Sequence, residues 1–327
     1  MKLTFLGTSA GKPTRERNVS ALALECEQER RWYLFDCGEG TQHQLLRSRL
    51  SFGKLGVIFI THLHGDHYYG LPGLLSTKKL DRSTSPVTLY GPRGIRAFVE
   101  ASLKTSPEHL GYDLQIIEFA AGDSFMFERF SVQVLPLVHS VESFAFAIKE
   151  HDTANRLDEP KLRAMGVEPS PLYGRLKQGH SVVHDGNRIE PSEVMLDPLI
   201  GRSLIIAGDN SDPLVLGERM EDVDLLVHES TYTQAVFDAL MEKTLHTTAK
   251  GLAAAAQAKG VKNLIATHIN ARYAPGSRHA LEEIETELKA GYPGNVYVAN
   301  DFDAFYLKRG GILEYLGLER HISRKGL

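Results

Sequence analysis

The sequence of 327 residues contains only two cysteines, Cys26 and Cys37, which lie in separate apolar stretches. The fold does not require a disulfide between them, and we expect both cysteines to be buried free thiols in a reducing compartment. No apolar run approaches membrane-spanning length, and the N-terminal stretch MKLTFLGT lacks the pattern of a signal peptide. We therefore expect a cytoplasmic protein with no membrane partner.

The sequence has no excess of basic residues, since it contains 37 lysines and arginines against 41 acidic residues and has a formal net charge of −4. Proteins that coat nucleic acid non-specifically are usually basic, so this class is disfavoured. An enzyme that acts on RNA is still compatible, because the overall sum hides local basic patches and bound metal ions. The hydrophobic content of 42% suffices for one large core or two modest domains.

Histidine is abundant, with 14 residues, and the most informative stretch is VIFITHLHGDHYYG at residues 57–70. Its first four residues are apolar and mostly β-branched, as in a buried strand. Potential metal ligands follow closely around a glycine that allows a tight turn, and they are His62, His64, Asp66 and His67. Burying so many polar groups without partners is costly. The pattern therefore predicts two adjacent metal ions, with zinc best suited and manganese or iron as alternatives.

Other apolar stretches also end in a histidine or an aspartate, and the residues at these ends are His139, Asp209, His228 and His268. Strand ends that converge on one edge form the active site in layered αβ folds, so we expect these side chains to lie together. For His139, a core or surface position is an equally good interpretation from the residues alone. Asp36 either orients a ligand histidine or only forms a turn.

The stretch at residues 150–197 differs from the rest, because it has no long apolar periodicity and many turn residues. Its composition predicts a long loop, a lid or an insertion. Positions 160–180 contain four basic residues and one acidic residue. We also expect a helix near residues 161–164. We predict that Arg163, Arg175 and Lys177 contact phosphate groups of RNA. The alternative is that they lie in a solvated loop without such contacts.

Further motifs extend over nearly the whole chain: LTFLGTSAGKPTRERN, FDCGEGTQHQLL, THLHGDH, GLPGLL, LYGP, IIAGD, HEST, ATHINARY and ANDF. Together they resemble ribonuclease Z, a family of tRNA 3′-processing endonucleases in the metallo-β-lactamase superfamily. THLHGDH alone indicates the superfamily, whereas the N-terminal stretch, FDCGEGTQ and HEST are far more specific. The resemblance implies an α/β fold, the four-layer αβ/βα sandwich, as a single domain over residues 1–327 with a small inserted substrate-binding arm at about residues 150–197.

The resemblance also implies two Zn²⁺ per subunit, with Mn²⁺ or another divalent metal as the alternative. The implied ligands are His62, His64 and His139 for one ion, Asp66, His67 and His268 for the other, and Asp209 as the bridge.

Three residues have implied catalytic roles. Asp66 would accept a proton from the attacking water, and His246 would protonate the leaving ribose oxygen. Glu229 would hold the imidazole of His246 in the right tautomer and raise its pKa. His228 is expected to be structural or to contact the ligand residues rather than the metal.

The loop at residues 8–18 reads as a solvated turn from its composition, but the family carries a PxKxRN pattern here that senses the RNA 3′ end. Pro13, Arg17 and Asn18 match this pattern, and Arg15 stands where the pattern has lysine. The charge is kept, although arginine and lysine do not contact phosphate identically. The implied substrate-binding residues are Arg15, Arg17, Asn18 and Arg272.

The function implied by the resemblance is a zinc-dependent endoribonuclease that removes the 3′ trailer of precursor tRNA after the discriminator base. It would leave a 3′-hydroxyl on the tRNA and a 5′-phosphate on the trailer, and it would act as a homodimer. The main alternative is a phosphodiesterase or exoribonuclease of the same fold that acts on other RNA or small phosphodiesters. A thioesterase or lactonase would not be expected to share PTRERN or HEST, and a non-catalytic RNA-binding protein is disfavoured by the intact ligand set.

Overall fold

The computed structural model describes residues 1–105 and 109–320. The chain forms two compact units, of which the first comprises Met1–Lys149 and the chain from Ser203 onward, and the second comprises Glu150–Arg202. Among the described residues, no helix has the length and apolar character required to cross a membrane.

The strands and helices follow one another along both units. The strands are β1 (Lys2–Gly7), β2 (Ala21–Glu25), β3 (Trp32–Phe35), β4 (Leu55–Phe59), β5 (Val87–Pro92), β6 (Leu114–Phe119), β7 (Ser124–Met126), β8 (Phe130–Pro136), β9 (Phe144–Glu150), β10 (Arg156–Leu157), β11 (Val182–His184), β12 (Asn187–Ile189), β13 (Met195–Leu196), β14 (Ser203–Ala207), β15 (Leu225–Glu229), β16 (Asn263–Thr267), β17 (Asn295–Val298), β18 (Asp303–Leu307) and β19 (Leu313–Leu318). The helices are α1 (Thr41–Arg47), α2 (Gly65–Tyr68), α3 (Leu71–Leu80), α4 (Ile95–Lys104), α5 (Glu159–Ala164), α6 (Pro171–Lys177), α7 (Pro191–Val194), α8 (Gln234–Asp238), α9 (Ala249–Ala258) and α10 (Leu281–Gly291), with short 3₁₀ turns at Phe52–Lys54, Pro213–Met220 and Ala271–Tyr273.

Two large sheets form the first unit. One sheet has the order β19-β18-β1-β2-β3-β4-β5-β6, and the other has the order β17-β16-β15-β14-β9-β8-β7. Strands β3 to β6 are parallel, and so are β14 to β17. The carboxyl ends of each parallel group therefore meet at one edge of their sheet, which is where ligand sites form in such sheets.

The continuous apolar run of β4 is explained by burial on both faces of its sheet. Val57 and Phe59 point into the core between the two sheets, while Ile58 points to the opposite face, where α1, α3 and α4 pack. The ring of Phe59 lies 4.9 Å from the ring of Phe146 in the second sheet, measured between centroids. Because α9 and α10 cover the outer face of that second sheet, the layers run helix, sheet, sheet, helix. The predicted four-layer αβ/βα fold is confirmed.

Of the long loop, lid or insertion that its composition predicts, the second unit is not a long loop but a folded segment. It contains α5, α6 and α7 with the strand pairs β10–β13 and β11–β12, and the expected helix near residues 161–164 lies within α5. These elements are only two to seven residues long, too short for an apolar period to be visible. They nevertheless enclose a core of their own, formed by Leu157, Leu162, Val167, Tyr173, Leu176, Val182, Ile189 and Val194.

Some elements of the first unit were also not expected from the sequence. Helices α1 and α10 and the edge strand β19 belong to this group. Only two residues of α10 are buried, and β19 exposes most of its side chains. Elements with so narrow a buried face leave little apolar pattern to detect.

Lys78 on α3 is a buried cation that bonds directly to no anion among the residues that the structure describes. Its ammonium group donates hydrogen bonds to the carbonyl of Phe52 at 3.0 Å and to the hydroxyls of Ser83 and Ser85 at 2.9 and 2.8 Å. Burial lowers the pKa of Lys78 to about 8, against a smaller opposing attraction from Asp81. The charged form is therefore less favourable in the folded protein than in the unfolded chain.

Stability should consequently depend on pH through Lys78. Between a folded pKa of about 8 and the ordinary value of 10.5, the unfolded chain binds more protons than the folded protein. The free energy of unfolding of the wild type, relative to that of Lys78→Met, should rise as the pH is raised from about 7.5 to about 10. Urea unfolding at both pH values measures this difference. The exposed Lys104→Met variant is the control, and a pH-independent difference for Lys78→Met would contradict the account.

Candidate metal centre and active site

Strand ends from both sheets deliver the polar residues of the site. The segment after β4 and the short helix α2 belong to the first sheet, and the ends of β8, β14, β15 and β16 belong to the second. The sheet stacking brings them together, and three overlapping groups of potential metal ligands result within the described part of the chain. Two lie side by side, His62, His64, His139 and Asp209 in one and Asp66, His67 and His268 in the other, and the third joins Asp209 and His268 to His246.

The first donor set contains three imidazoles and one carboxylate. His62 Nε2 and His139 Nε2 lie 3.2 and 3.1 Å from His64 Nδ1. Oδ2 of Asp209 lies 3.7 Å from both His62 Nε2 and His139 Nε2. Four donor atoms therefore surround one point.

The second donor set uses the other oxygen of the same aspartate. Oδ1 of Asp209 lies 3.4 Å from His67 Nε2 and 3.3 Å from His268 Nε2. Oδ2 of Asp66 lies 3.4 Å from each of these two nitrogens. Asp209 thus stands between the sets, and the grouping is the one that the family resemblance implies.

These donor sets fit divalent cations. A tetrahedral ion with bonds of about 2.0–2.1 Å places its ligands about 3.3–3.4 Å apart, close to the observed spacings. Imidazole nitrogens that face one another also repel through their lone pairs unless a positive charge lies between them. The residues that would hold the metal are His62, His64 and His139 on one side and Asp66, His67 and His268 on the other, with Asp209 shared.

The second ring nitrogen of most of these histidines is occupied by a neighbouring group, which fixes the ring as ligand histidines require. The pairs are His62 with Thr61 Oγ1, His67 with Asp36 Oδ2, His139 with the carbonyl of Leu245, and His268 with Thr231 Oγ1.

The electrostatics of the cluster favour positive charge at its centre. Burial opposes the ionisation of Asp209, but His268, His67 and His62 hold its pKa well below its ordinary value. Burial also disfavours the cationic form of His67, yet the surrounding carboxylates, Asp209 foremost, raise its pKa well above its ordinary value. The carboxylate of Asp209 is therefore anionic and available as a ligand.

Asp36 both forms a turn and orients a histidine, the two roles that the sequence left open. Its backbone adopts a left-handed conformation with φ of 58°, as a turn aspartate can. Its Oδ2 lies 2.7 Å from His67 Nδ1, while its Oδ1 accepts a hydrogen bond from the backbone nitrogen of Thr61 at 2.8 Å. It therefore orients His67, a potential metal ligand, and holds the segment that carries His62 and His64.

His246 and Glu229 form a pair beside the potential metal ligands. His246 Nδ1 lies 3.0 and 3.1 Å from the two carboxylate oxygens of Glu229. Glu229 is buried and also accepts hydrogen bonds from the backbone nitrogen of Asn210, at 2.6 Å, and from the hydroxyl of Thr231. Burial works against the protonated imidazole, but Glu229 outweighs it and raises the pKa of His246 to about 9. In the part of the chain that the structure describes, His246 Nε2 has no hydrogen-bond partner.

His228 has the structural position expected for it. It is completely buried in β15, where burial lowers its pKa. Its Nε2 lies 3.0 Å from the amide nitrogen of Asn210, whose own oxygen accepts a hydrogen bond from the backbone nitrogen of Val138. Asn210, which sequence reasoning missed, therefore ties together Asp209, Glu229 and the segment that delivers His139. The one available signal was its position directly after Asp209.

The loop at residues 8–18 borders the second donor set, and the backbone nitrogen of Gly11 donates to Oδ2 of Asp66 at 2.8 Å. Arg15 is exposed, as is Arg272 on the loop after β16. Arg17 and Asn18 are instead engaged within the protein, because the guanidinium group donates to Ala299 and Asn18 donates to the carbonyl of Glu39. The sequence placed all four residues in one substrate-binding group, whereas the structure exposes only two of them fully.

Two stacked sheets flanked by helices, with two adjacent sets of histidines and aspartates at the strand ends, define a metal-dependent hydrolase of the metallo-β-lactamase fold. The chain belongs to the ribonuclease Z family. Ribonuclease BN of Erwinia tasmaniensis is 43% identical over 93% of this chain and 99% of its own length. Ribonuclease Z of Pseudomonas putida is 39% identical over 96% of this chain and 98% of its own length. The resemblance seen in the motifs is thus confirmed.

Solved structures agree with this assignment. The short form of human tRNase Z superposes with a TM-score of 0.66 at 29% identity, covering 94% of this chain and all of that chain. The metallo-β-lactamase fold protein YhfI from Bacillus subtilis has a TM-score of 0.64 at 17% identity, covering 93% of this chain and 98% of that chain, and supports the fold alone. A family profile described as Anti-Pycsar protein Apyc1 matches residues 1–155, which is less than half of the chain.

The contact between Asp36 and His67 generates a test of the metal centre. Asp36→Asn keeps the size of the side chain but removes its negative charge, so the affinity for zinc should fall about 10- to 100-fold. Competition between the protein and a chromophoric chelator measures this affinity. Asp224→Asn is the control, since Asp224 is also buried but bonds to Ser203 and Lys262. Unchanged zinc affinity in a folded Asp36→Asn protein would contradict the orienting role.

Proposed function

We propose that this protein is an endoribonuclease that removes the 3′ trailer of precursor tRNA by cutting after the discriminator base. The products would be a tRNA with a 3′-hydroxyl and a trailer with a 5′-phosphate. The observation that carries the proposal is the His246–Glu229 pair beside two adjacent metal-ligand sets. Full-length relatives named Ribonuclease Z, and the tRNase Z fold neighbour, support the substrate.

The metal ligands and Asp66 would serve the attack on phosphorus. Two Zn²⁺ ions held by the two donor sets would supply Lewis acidity towards water and the phosphodiester oxygens. The Asp66 carboxylate lies at the edge of the second set, where it can accept the proton that the attacking water loses. Asp66 Oδ2 also accepts a hydrogen bond from the backbone nitrogen of Gly11.

His246 would serve the departure of the ribose 3′-oxygen, which is a poor leaving group unless it is protonated. With Nδ1 held by Glu229, the protonated ring would donate its proton from Nε2. Transfer of that proton to the 3′-oxygen accompanies cleavage of the bond between phosphorus and that oxygen. The new bond from water to phosphorus leaves the phosphate on the trailer, so the predicted product ends follow.

The exposed basic residues are the proposed RNA contacts. Arg15 and Arg272 border the site, and Arg163, Arg175 and Lys177 are exposed on α5 and α6 of the second unit. Such side chains bind phosphate groups without reading sequence, as a processing enzyme for many tRNAs requires. Arg17 and Asn18 would act mainly by holding the loop that carries Arg15. We also infer a cytoplasmic homodimer, for which sedimentation equilibrium is the test of assembly.

The decisive experiment is cleavage of a 3′-extended precursor tRNA by purified protein, with the cut mapped to the nucleotide. A cut directly after the discriminator base is expected, and it should disappear with chelator and return with added zinc. Failure to cut this RNA, together with hydrolysis of bis(p-nitrophenyl) phosphate, would instead favour a phosphodiesterase for small substrates. Stepwise shortening from the 3′ end would favour an exoribonuclease.

The role of His246 gives a second prediction. His246→Ala should slow cleavage of precursor tRNA about 10²- to 10⁴-fold, because the 3′-oxygen would leave without a proton. Hydrolysis of bis(p-nitrophenyl) phosphate should change little, since its leaving group needs no acid. Zinc content, measured by elemental analysis, should stay at the wild-type value, and the exposed His43→Ala variant is the control. Loss of zinc from His246→Ala would place this residue among the ligands instead.

A further inference from the structure

Asp301 is a buried carboxylate in the turn between β17 and β18, outside the chemistry described above. Its Oδ1 accepts a hydrogen bond from the hydroxyl of Thr8 at 2.8 Å. Its Oδ2 accepts from the backbone nitrogen of Asn18 at 2.6 Å and from the side-chain amide of Gln44 at 2.7 Å. Thr8 and Asn18 are the two ends of the loop at residues 8–18, so one carboxylate joins both ends of that loop.

Arg17 completes this arrangement without touching Asp301. Its guanidinium group donates to the hydroxyl of Thr8 at 2.7 Å, to the carbonyl of Ala299 at 2.6 Å and to the side-chain oxygen of Asn300 at 2.6 Å. The Thr8 hydroxyl thus accepts from Arg17 and donates to Asp301. Burial raises the pKa of Asp301 to about 6 against the pull of its hydrogen bonds, so the group is ionised at neutral pH and acts as an acceptor.

The same loop is bonded to the metal-binding edge on its other side. Ala10 donates its backbone N–H to the carbonyl of Ile269 at 3.0 Å, and Ile269 donates to the carbonyl of Thr8 at 2.8 Å. Ile269 directly follows the ligand His268, and Gly11 bonds to Asp66 at 2.8 Å. A shift at the base of the loop would therefore move its tip relative to Asp66.

We propose that Asp301 is a positioning residue that fixes the loop at residues 8–18 against the metal-binding edge and so places Arg15 for the RNA. This inference rests on the proposed function. Asp301 acts through Thr8 and Asn18, because its carboxylate accepts hydrogen bonds from these two residues at the loop base and from Gln44 on the neighbouring α1. Its removal should therefore change how substrate RNA is held more than how a bound phosphodiester is cut.

The kinetic test compares Asp301→Ala and Asp301→Asn with the wild type. For precursor tRNA, Asp301→Ala should raise KM about tenfold and change kcat less than about threefold. Asn can still accept the hydrogen bond from the backbone of Asn18, so Asp301→Asn should raise KM less. Hydrolysis of bis(p-nitrophenyl) phosphate should stay within about twofold of the wild type for both variants. Asp224→Asn, which removes a buried carboxylate elsewhere, should leave KM unchanged.

A second measurement does not depend on RNA cleavage. Trypsin cuts after arginine, and in the wild type the side chain of Arg17 is held against the turn that contains Asp301. Release of the loop in Asp301→Ala should speed cutting after Arg15 and Arg17 about tenfold, while Asp224→Asn should be cut like the wild type. This comparison still decides the role of Asp301 if the wild type fails to cut precursor tRNA.

Two results would overturn the proposal. One is a folded Asp301→Ala protein with full zinc content, an unchanged KM for precursor tRNA and unchanged tryptic cutting of the loop. The other is an equal loss of activity on RNA and on bis(p-nitrophenyl) phosphate, which would mean that Asp301 supports the whole site.

Discussion

The carboxylate of Asp209 sets the main constraint on this structure, because its two oxygens face two different pairs of imidazoles. Oδ2 approaches His62 and His139, and Oδ1 approaches His67 and His268. A buried carboxylate is tolerated only where positive or hydrogen-bonding groups surround it. These groups come from strands of both sheets, so the aromatic packing between the sheets is also what assembles the metal centre.

Much of this centre could be predicted because its residues are adjacent in sequence or follow a recognisable strand. His62, His64, Asp66 and His67 lie in one short segment, and a strongly apolar strand precedes Asp209. The bond between Thr8 and Asp301, by contrast, joins residues 293 positions apart, and Asn210 acts through neighbours on other strands. No local pattern marks such contacts. The core of the second unit escaped detection for a related reason, since its apolar residues are divided among very short elements.

The charges around the site pose a problem for a substrate that is itself a polyanion. Asp36, Asp66, Asp209 and Glu229 lie together and are largely buried, and RNA phosphate would be repelled by such a group. Divalent cations held by the donor sets would reverse the sign of the local electrostatic field. Exposed arginines at the edge would then extend this attraction outward, so a chain with a net charge of −4 can still present a locally positive surface to RNA.

The second unit leaves the first between two strands that are already neighbours. β9 and β14 are antiparallel, and Lys149 lies opposite Ser203 at the point where the chain departs and returns. The intervening segment therefore closes a hairpin whose ends are set by the sheet, whatever its length. Since the entropic cost of closing a longer connection grows only slowly, evolution could enlarge, shorten or exchange this segment while the strand register, and with it the catalytic edge, stayed the same.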